Sequence, residues 1–274
     1  MLKKIYNKVV LSNYVLNHVI RAYRMIGLPQ SKKNSSFFSE KWHEGIDKSR
    51  SNFNRIKEKL NIACDIPFEF IDQLAKITQV TDKETEINWA HGYLLYGLVF
   101  EMAVKHSDPL TIIEVGTARG FSSLCMAKAL QDAKRYGKII TIDIVNHENQ
   151  IYWNTIGDEA KRTRYELLSD YKELTNLYIT YITGKSNFIM PLLSVGNVNF
   201  AFLDGSHFYE DVKFEYEWLK GRLDNNGMIV FDDYDPKFPE IQRLVDDLKR
   251  NNNIEIVYSS DDRGYGILRK NNDI

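Results

Sequence analysis

Acidic residues at the ends of apolar runs are the residues of this chain best placed to do chemistry. Asp204 ends the run 200–203, and the pair Asp232 and Asp233 ends the run 228–231. In an open parallel sheet, ligands bind outside the carboxyl ends of the strands, so acids at those ends face a common pocket. Three carboxylates crowded together repel one another unless a cation or a proton lies between them. We therefore predict that these three acids bind a metal ion.

The ligand chemistry of this set favours a hard divalent cation. Carboxylate oxygens suit Mg²⁺, Mn²⁺ or Ca²⁺, and the sequence has no cluster of His and Cys residues at zinc-ligand spacing. Mg²⁺ usually keeps several water ligands, which leaves positions for a substrate diol. The alternative is that the acids only solvate strand ends or cap helices, which would be preferred for one Asp but not for three.

His207 follows Asp204 by three residues and is the candidate general base. A neutral imidazole can accept a proton from a hydroxyl at physiological pH. The alternative is an ordinary loop histidine next to a helix start. A second histidine, His91, could enter the site from the N-terminal region, but packing at the start of a helix is favoured for it.

A glycine loop follows a third apolar run, Leu110–Val115. That run contains Glu114 and leads into the segment 116–120, which has the pattern G-x-x-x-G. Glycines let the backbone approach a ligand closely. The dinucleotide fingerprint G-x-G-x-x-G needs a middle glycine that this loop lacks, and Glu114 would repel a pyrophosphate. The loop better suits a ligand with a cationic or amino group, and a nicotinamide dehydrogenase is disfavoured.

Asp143 ends the next apolar run, 139–142. A carboxylate at this position commonly accepts hydrogen bonds from ribose hydroxyls. A glycine loop and a ribose-binding acid, without pyrophosphate chemistry, indicate S-adenosylmethionine. The alternative is that the glycines only form a tight turn and that Asp143 is a simple strand-end acid.

Strand-like and helix-like segments alternate from residue 109 onward. The predicted strands are 110–115, 139–144, 178–182, 198–203, 228–231, 254–258 and 265–268. The predicted helices are 122–134, 156–174, 187–195, 209–223 and 240–249. This order predicts an α/β fold with a parallel sheet and a final hairpin. Residues 1–108 are predicted to be mostly helical, with a polar loop around a short segment at 31–51.

Two segments resemble class I S-adenosylmethionine-dependent methyltransferases. FLDGSHFY at 202–209 and IVFDD at 229–233 are similar to metal-dependent O-methyltransferases of the catechol and the macrocin or antibiotic-sugar types. The resemblance covers about residues 109–270. It implies a Rossmann-like, mostly parallel seven-stranded sheet with a C-terminal antiparallel hairpin. It also implies a methyltransferase domain at 109–274, while 1–108 would be a helical extension that caps the substrate or makes oligomer contacts.

The resemblance also assigns roles to single residues. The methionine part of the cofactor would lie against the glycine loop, the ribose on Asp143 and the adenine near Ser186. In these families the residue three positions after the first acidic metal ligand takes the proton. Here the first ligand is Asp204, and that residue is His207. Some sugar enzymes use an acid two positions after it, where this chain has Ser206. The expected cofactor contacts are Glu114, Gly116, Thr117, Gly120, Ser122, Asp143, Ser186 and Asp204.

Composition limits the class of protein and its partners. Of 274 residues, 43% are hydrophobic and 27% charged, which is ordinary for a globular protein, and the net charge of -1 gives no reason to expect nucleic acid. Two cysteines argue against a disulfide framework and favour a cytoplasmic location. The sequence contains no run of 18 apolar residues, so we expect no segment that spans a membrane. The basic segment 1–33 could lie on anionic lipid, but packing on its own domain or in a homo-oligomer is favoured.

We therefore expect an enzyme that transfers a methyl group from S-adenosylmethionine to a hydroxyl of a small polar molecule, with a sugar or polyol as the favoured acceptor. Two alternatives remain. One is a metal-independent methyltransferase acting on nitrogen or oxygen, and the other is a scaffold that binds the cofactor without catalysis.

Overall fold

The computed structural model describes residues 29–82, 87–261 and 263–270. Most of the basic segment 1–33 therefore lies outside the described residues. Three helices come first: α1 (Ser35–Leu60), α2 (Phe68–Thr78) and α3 (Ala90–Lys105). Strands and helices then alternate: β1 (Leu110–Val115), α4 (Phe121–Asp132), β2 (Gly137–Asp143), α5 (Arg164–Leu167), α6 (Lys172–Tyr178), β3 (Ile179–Thr183), α7 (Ser186–Ile189), β4 (Val198–Leu203), α8 (Tyr209–Lys220), β5 (Leu223–Tyr234), α9 (Pro239–Lys249), β6 (Ile254–Tyr258) and β7 (Gly264–Arg269).

One seven-stranded sheet forms the centre of the protein, in the order β3-β2-β1-β4-β5-β7-β6. The first five strands are parallel, and β7 runs antiparallel to both β5 and β6. This confirms the predicted fold and its C-terminal hairpin. The chain winds outward from β1 in one direction and from β4 in the other, so a crevice opens where these two strands end.

Alternating apolar residues bury both faces of the sheet. In β1, Ile112 packs into one buried cluster, which also contains residues of α1 to α4, while its neighbour Ile113 packs into the other, with α8 and α9. In β4, Phe202 and Leu203 divide in the same way. Full burial of such a side chain is worth about 1.5–3 kcal/mol, so the sheet is held from both sides.

A buried carboxylate ties the three N-terminal helices together. Asp72 on α2 is 2% exposed. It accepts hydrogen bonds from Arg50 of α1 (Nη2, 2.6 Å), from the Trp89 indole (2.8 Å) and from the Tyr93 hydroxyl of α3. These contacts fix the start of α3, which the buried cluster also joins to β1 and α4. The division of the chain at residue 108 stays a prediction.

Residues 31–51 differ from the prediction of a polar loop, because α1 begins within this range. Asn34 caps the helix by accepting a hydrogen bond from the backbone N–H of Phe37 (3.0 Å). Its buried face contains Ser49 and Asn52 beside the apolar Phe53. These small polar residues conceal the apolar periodicity that would have indicated a helix.

The single helix predicted at 156–174 is also absent from the structure. The chain instead forms α5, a 3₁₀ turn at Ser169–Tyr171 and α6. Gly157 has a φ of +71°, and Ile151 pairs with Arg162 in a β-bridge. Tertiary pairing therefore overrides the helical spacing of the apolar residues. Among the residues that the structure describes, no helix is both long enough and apolar enough to cross a membrane.

Candidate active site

A cavity of about 420 Å³ opens where β1, β2 and β4 end. Asp143, Ser186, Asp204, His207 and Asp233 all line it. This volume lies in the range of small-molecule and cofactor sites. The crevice at the strand ends therefore brings together residues from both halves of the sheet, as the positions of the acids predicted.

Gly116 allows β1 and β4 to approach each other at the cavity floor. It has a φ of +99°, and a Cβ atom on it would lie 2.1 Å from the carbonyl oxygen of Asp204. Gly120, with a φ of +84°, occupies the N-cap position of α4. The two glycines of the loop are thus required by the backbone path that surrounds the site.

Glu114 lies beneath the glycine loop and is fully buried. Its carboxylate accepts hydrogen bonds from the hydroxyls of Ser122, Ser123 and Thr141. Burial raises the pKa of Glu114, and these three donors oppose that shift. Thr117 and Ser122 line the cavity, whereas Glu114 is enclosed behind them. In this arrangement Glu114 supports the loop from below.

Asp143 is held at the end of β2 by the backbone. It accepts hydrogen bonds from the N–H groups of Ala118 (2.6 Å) and Val145 (2.7 Å). The buried guanidinium of Arg164 lies 3.7 Å away. Each carboxylate oxygen keeps a further lone pair, so Asp143 can accept hydrogen bonds from a ligand diol in the cavity.

We expect the substitution Asp143→Ala to weaken binding of S-adenosylhomocysteine by about five- to 150-fold. Loss of hydrogen bonds at a partly buried site costs about 1–3 kcal/mol, which corresponds to this range of dissociation constants. Titration calorimetry measures the change. Asp170→Ala, at an exposed acid, is the matched control and should bind like the wild type. Equal affinities in all three proteins would contradict the ribose role.

Ser186 begins α7 and reaches a buried acid that the sequence did not single out. Its hydroxyl donates a hydrogen bond to Glu215 of α8 (2.5 Å). Glu215 is fully buried, and desolvation raises its pKa to about 8. In the sequence Glu215 is one of several acids of an amphipathic helix, so only the packing of α7 on α8 distinguishes it.

Tyr152 and Trp153 line the cavity. The Trp153 carbonyl accepts two hydrogen bonds from the guanidinium of Arg119 (3.0 and 2.7 Å). Its indole N–H donates to the carbonyl of Arg162 (2.9 Å). Trp153 is also 5% exposed, so it is both a packed residue and part of the cavity wall.

Two carboxylates and one imidazole converge beside the glycine loop. Ligand atoms of Asp204, His207 and Asp233 all lie within 4.8 Å of one another. The Nε2 atom of His207 is 3.0 Å from a carboxylate oxygen of Asp233, and its ring packs on Phe238 with centroids 4.3 Å apart. This group of atoms has the chemistry and the spacing to hold a divalent cation.

Asp232 lies outside that cluster, which differs from the predicted ligand set. Its carboxylate pairs with the Nη2 atom of Arg263 (2.8 and 3.1 Å) and accepts a hydrogen bond from the backbone N–H of Asp233 (2.8 Å). The register of β5 against β7 shifts between Phe231 and Tyr234, and Asp233 has a φ of +57°. Such bulges re-aim side chains next to active sites, and here the two adjacent acids separate.

His91 of α3 both packs and lines the cavity. It is 7% exposed, and its ring contacts the ring of Phe121 edge-on, with centroids 5.0 Å apart. Burial, assisted by the nearby Arg263 guanidinium, lowers the pKa of His91 to about 4. Both alternatives stated for His91, packing at a helix start and entry into the site, therefore apply.

Comparisons with known proteins agree with this geometry. Residues 113–234 match the family model described as a methyltransferase domain. The O-methyltransferase TomG from Streptomyces achromogenes, solved in complex with SAM, is 17% identical, with 74% of this chain and 90% of that chain covered and a TM-score of 0.53. The O-methyltransferase NovP is 15% identical, and the alignment covers 74% of this chain and 98% of that chain with a TM-score of 0.53. At these identities the likeness establishes a shared fold. No match was found among curated proteins.

Proposed function

We propose that the protein, whose residues 113–234 match a methyltransferase domain, uses S-adenosylmethionine to methylate a hydroxyl group of a small polar molecule with the help of a divalent cation. The convergence of Asp204, His207 and Asp233 in the cavity that contains the glycine loop and Asp143 carries this proposal. It puts groups that can activate a hydroxyl beside groups that can hold a nucleoside.

The donor set fits a hard cation. Asp204 and Asp233 offer carboxylate oxygens, and both are partly exposed to the cavity, so water and an acceptor hydroxyl can complete the coordination shell. Asp204 and Asp233 would hold the ion, with Asp232 fixing the backbone beside them. When bound, a divalent cation would lower the pKa of a coordinated hydroxyl and orient its oxygen.

His207 is the proposed proton acceptor. Its Nε2 atom lies 3.0 Å from a carboxylate oxygen of Asp233, which favours the tautomer with the proton on Nε2 and a lone pair on Nδ1. When bound, S-adenosylmethionine would supply an electrophilic methyl group, and the hydroxyl oxygen would bond to that carbon as the carbon–sulfur bond breaks and leaves a thioether. The hydroxyl proton passes to His207 Nδ1, and Asp233 stabilises the resulting imidazolium, as a carboxylate does in other His–Asp pairs.

A metal-independent mechanism is the second candidate, and one observation favours it. Arg263 already neutralises one carboxylate, Asp232, and the His207 Nε2 atom lies 3.0 Å from a carboxylate oxygen of Asp233. A His–Asp pair can act as a general base by itself. The two candidate mechanisms therefore differ in whether the reaction needs a cation bound to Asp204 and Asp233.

A sugar or other polyol remains the favoured acceptor, because a second hydroxyl next to the reacting one could also reach a bound cation. The region 1–108 borders the site through His91, which supports its proposed part in capping the substrate. A cytoplasmic location and a homo-oligomer stay predictions from the sequence.

The proposal is tested by assaying methyl transfer to a panel of sugars and polyols, with products identified by mass spectrometry. We expect turnover that excess chelator abolishes and that Mg²⁺ or Mn²⁺ restores. Binding of S-adenosylhomocysteine should persist in chelator, because the proposed cofactor contacts other than Asp204 lie outside the acid cluster. Full turnover in chelator would instead establish the metal-independent mechanism, and the absence of S-adenosylhomocysteine binding would refute both.

A further inference from the structure

The first turn of α4 carries no side-chain cap. Its N-cap is Gly120, and the hydroxyls of Ser122 and Ser123 point down to Glu114. The first N–H groups of a helix have no partner within the helix and carry a partial positive charge. Gly116, Thr117 and Phe121 line the cavity at this point, so this helix start is suited to a negatively charged ligand group.

His91 faces the same helix start from the N-terminal helices. Its neighbour Gly92 packs so closely on α4 that an added Cβ atom would lie 2.4 Å from the Phe121 ring. The His91 ring contacts Phe121 and lines the cavity. This residue lies outside the segment 113–234 that matches the methyltransferase family, so the family match gives it no role.

One polar atom of the His91 ring lacks a partner. Its Nδ1 atom is buried and has no hydrogen-bond partner among the described residues. The imidazole stays neutral near pH 7, because burial and the nearby Arg263 lower its pKa to about 4. A neutral imidazole has one N–H to donate, and leaving a buried polar group unpaired is costly. A ligand group at the start of α4 would remove that cost.

We propose that His91 donates a hydrogen bond to the carboxylate of the amino-acid end of S-adenosylmethionine, which binds at the N-terminus of α4. Asp143 and Ser186 mark the nucleoside end of the cavity, and Asp204 with His207 marks the reacting end. The start of α4 is a further polar part of the cavity wall, and it is suited to an anion. The inference rests on the proposed cofactor. It makes the N-terminal helices part of the cofactor site.

The test compares two ligands that differ only in the carboxylate: S-adenosylhomocysteine and S-adenosyl-3-thiopropylamine. In His91→Phe, which keeps an aromatic ring but no N–H, the dissociation constant of S-adenosylhomocysteine should rise about ten- to 100-fold, the usual range for a hydrogen bond to a charged group. The dissociation constant of the analogue should change less than about twofold. His91→Gln, which keeps an N–H donor, should recover most of the affinity.

His43→Phe is the matched control, because His43 is an exposed histidine of α1, and it should bind both ligands like the wild type. His91→Leu repeats the comparison should His91→Phe fail to fold. If the His91 substitution weakened the binding of both ligands equally, or the binding of neither, the proposed role of His91 would be wrong. If the wild-type protein itself fails to bind S-adenosylhomocysteine, the proposed function fails instead, so the two failures are distinguishable.

Discussion

Replacing His207 with alanine should lower kcat by about 10²–10⁴, the usual scale for loss of a general acid or base. The imidazole lies 3.0 Å from a carboxylate oxygen of Asp233 and packs on Phe238, so these contacts orient it before the acceptor binds. The measurement is the initial rate of methyl transfer at saturating cation, with an acceptor found in the product screen. Binding of S-adenosylhomocysteine should stay within about threefold of wild type.

Chemical rescue separates this role from a structural one. Imidazole added to His207→Ala should restore part of the lost kcat, because a free base can occupy the space that the side chain leaves. Rescue should be absent in a variant of Asp204, where no base is missing. If His207→Ala retains near-wild-type kcat, coordination alone activates the hydroxyl and His207 has no part in proton transfer. If activity is lost without any rescue, His207 acts as a ligand or a packing residue.

The strand ends could be predicted because apolar runs in a parallel sheet are short, continuous and bounded by polar residues. β1, β4 and β6 have the predicted limits, and the acids Glu114, Asp143 and Asp204 lie at or next to the C-terminal ends of their strands. Once two strands end at the same edge of a sheet, their terminal side chains must be neighbours. The shared pocket therefore followed from topology alone.

The separation of Asp232 from Asp233 could not be predicted, because it depends on a single backbone dihedral. A regular strand and a bulged strand have the same sequence pattern here. Two features decide which acid faces the cavity. Asp233 has a positive φ, and Arg263, the residue before β7, pairs with Asp232. Arg263 is 30 residues further along the chain than Asp233, and no local pattern connects the two.

For a related reason Glu215 was missed, and packing was favoured over a place in the site for His91. Each lies on a helix whose sequence pattern fixes only which face is buried, not which polar residue on that face meets the cavity. His91 reaches the site because the Asp72 cluster fixes the start of α3. Glu215 reaches Ser186 because α7 packs on α8. Both placements come from tertiary contacts between segments that are distant in sequence.

The pair Asp232 and Asp233 offers a test in which adjacent, chemically identical residues should behave differently. Asp233→Asn should abolish metal-stimulated activity and weaken Mn²⁺ binding at least as much as the roughly 10–100-fold loss that follows removal of an outer-shell partner. The cause is loss of one of the two carboxylates in the cluster of Asp204, His207 and Asp233. Calorimetric titration with Mn²⁺, in the presence of S-adenosylhomocysteine, measures the affinity without needing an acceptor.

Asp232→Asn is the matched variant, and it should keep Mn²⁺ affinity within about tenfold of wild type while lowering the melting temperature. Asp232 is 2% exposed and pairs with Arg263, so its loss leaves a guanidinium without its counter-charge, which destabilises a protein. The opposite result, with metal lost in Asp232→Asn and retained in Asp233→Asn, would mean that the bulge rearranges when the ion binds and that Asp232 is the ligand. If chelator left the activity of wild type and of Asp232→Asn unchanged while Asp233→Asn was inactive, the cation would have no part in the reaction and the His207–Asp233 pair would be the base.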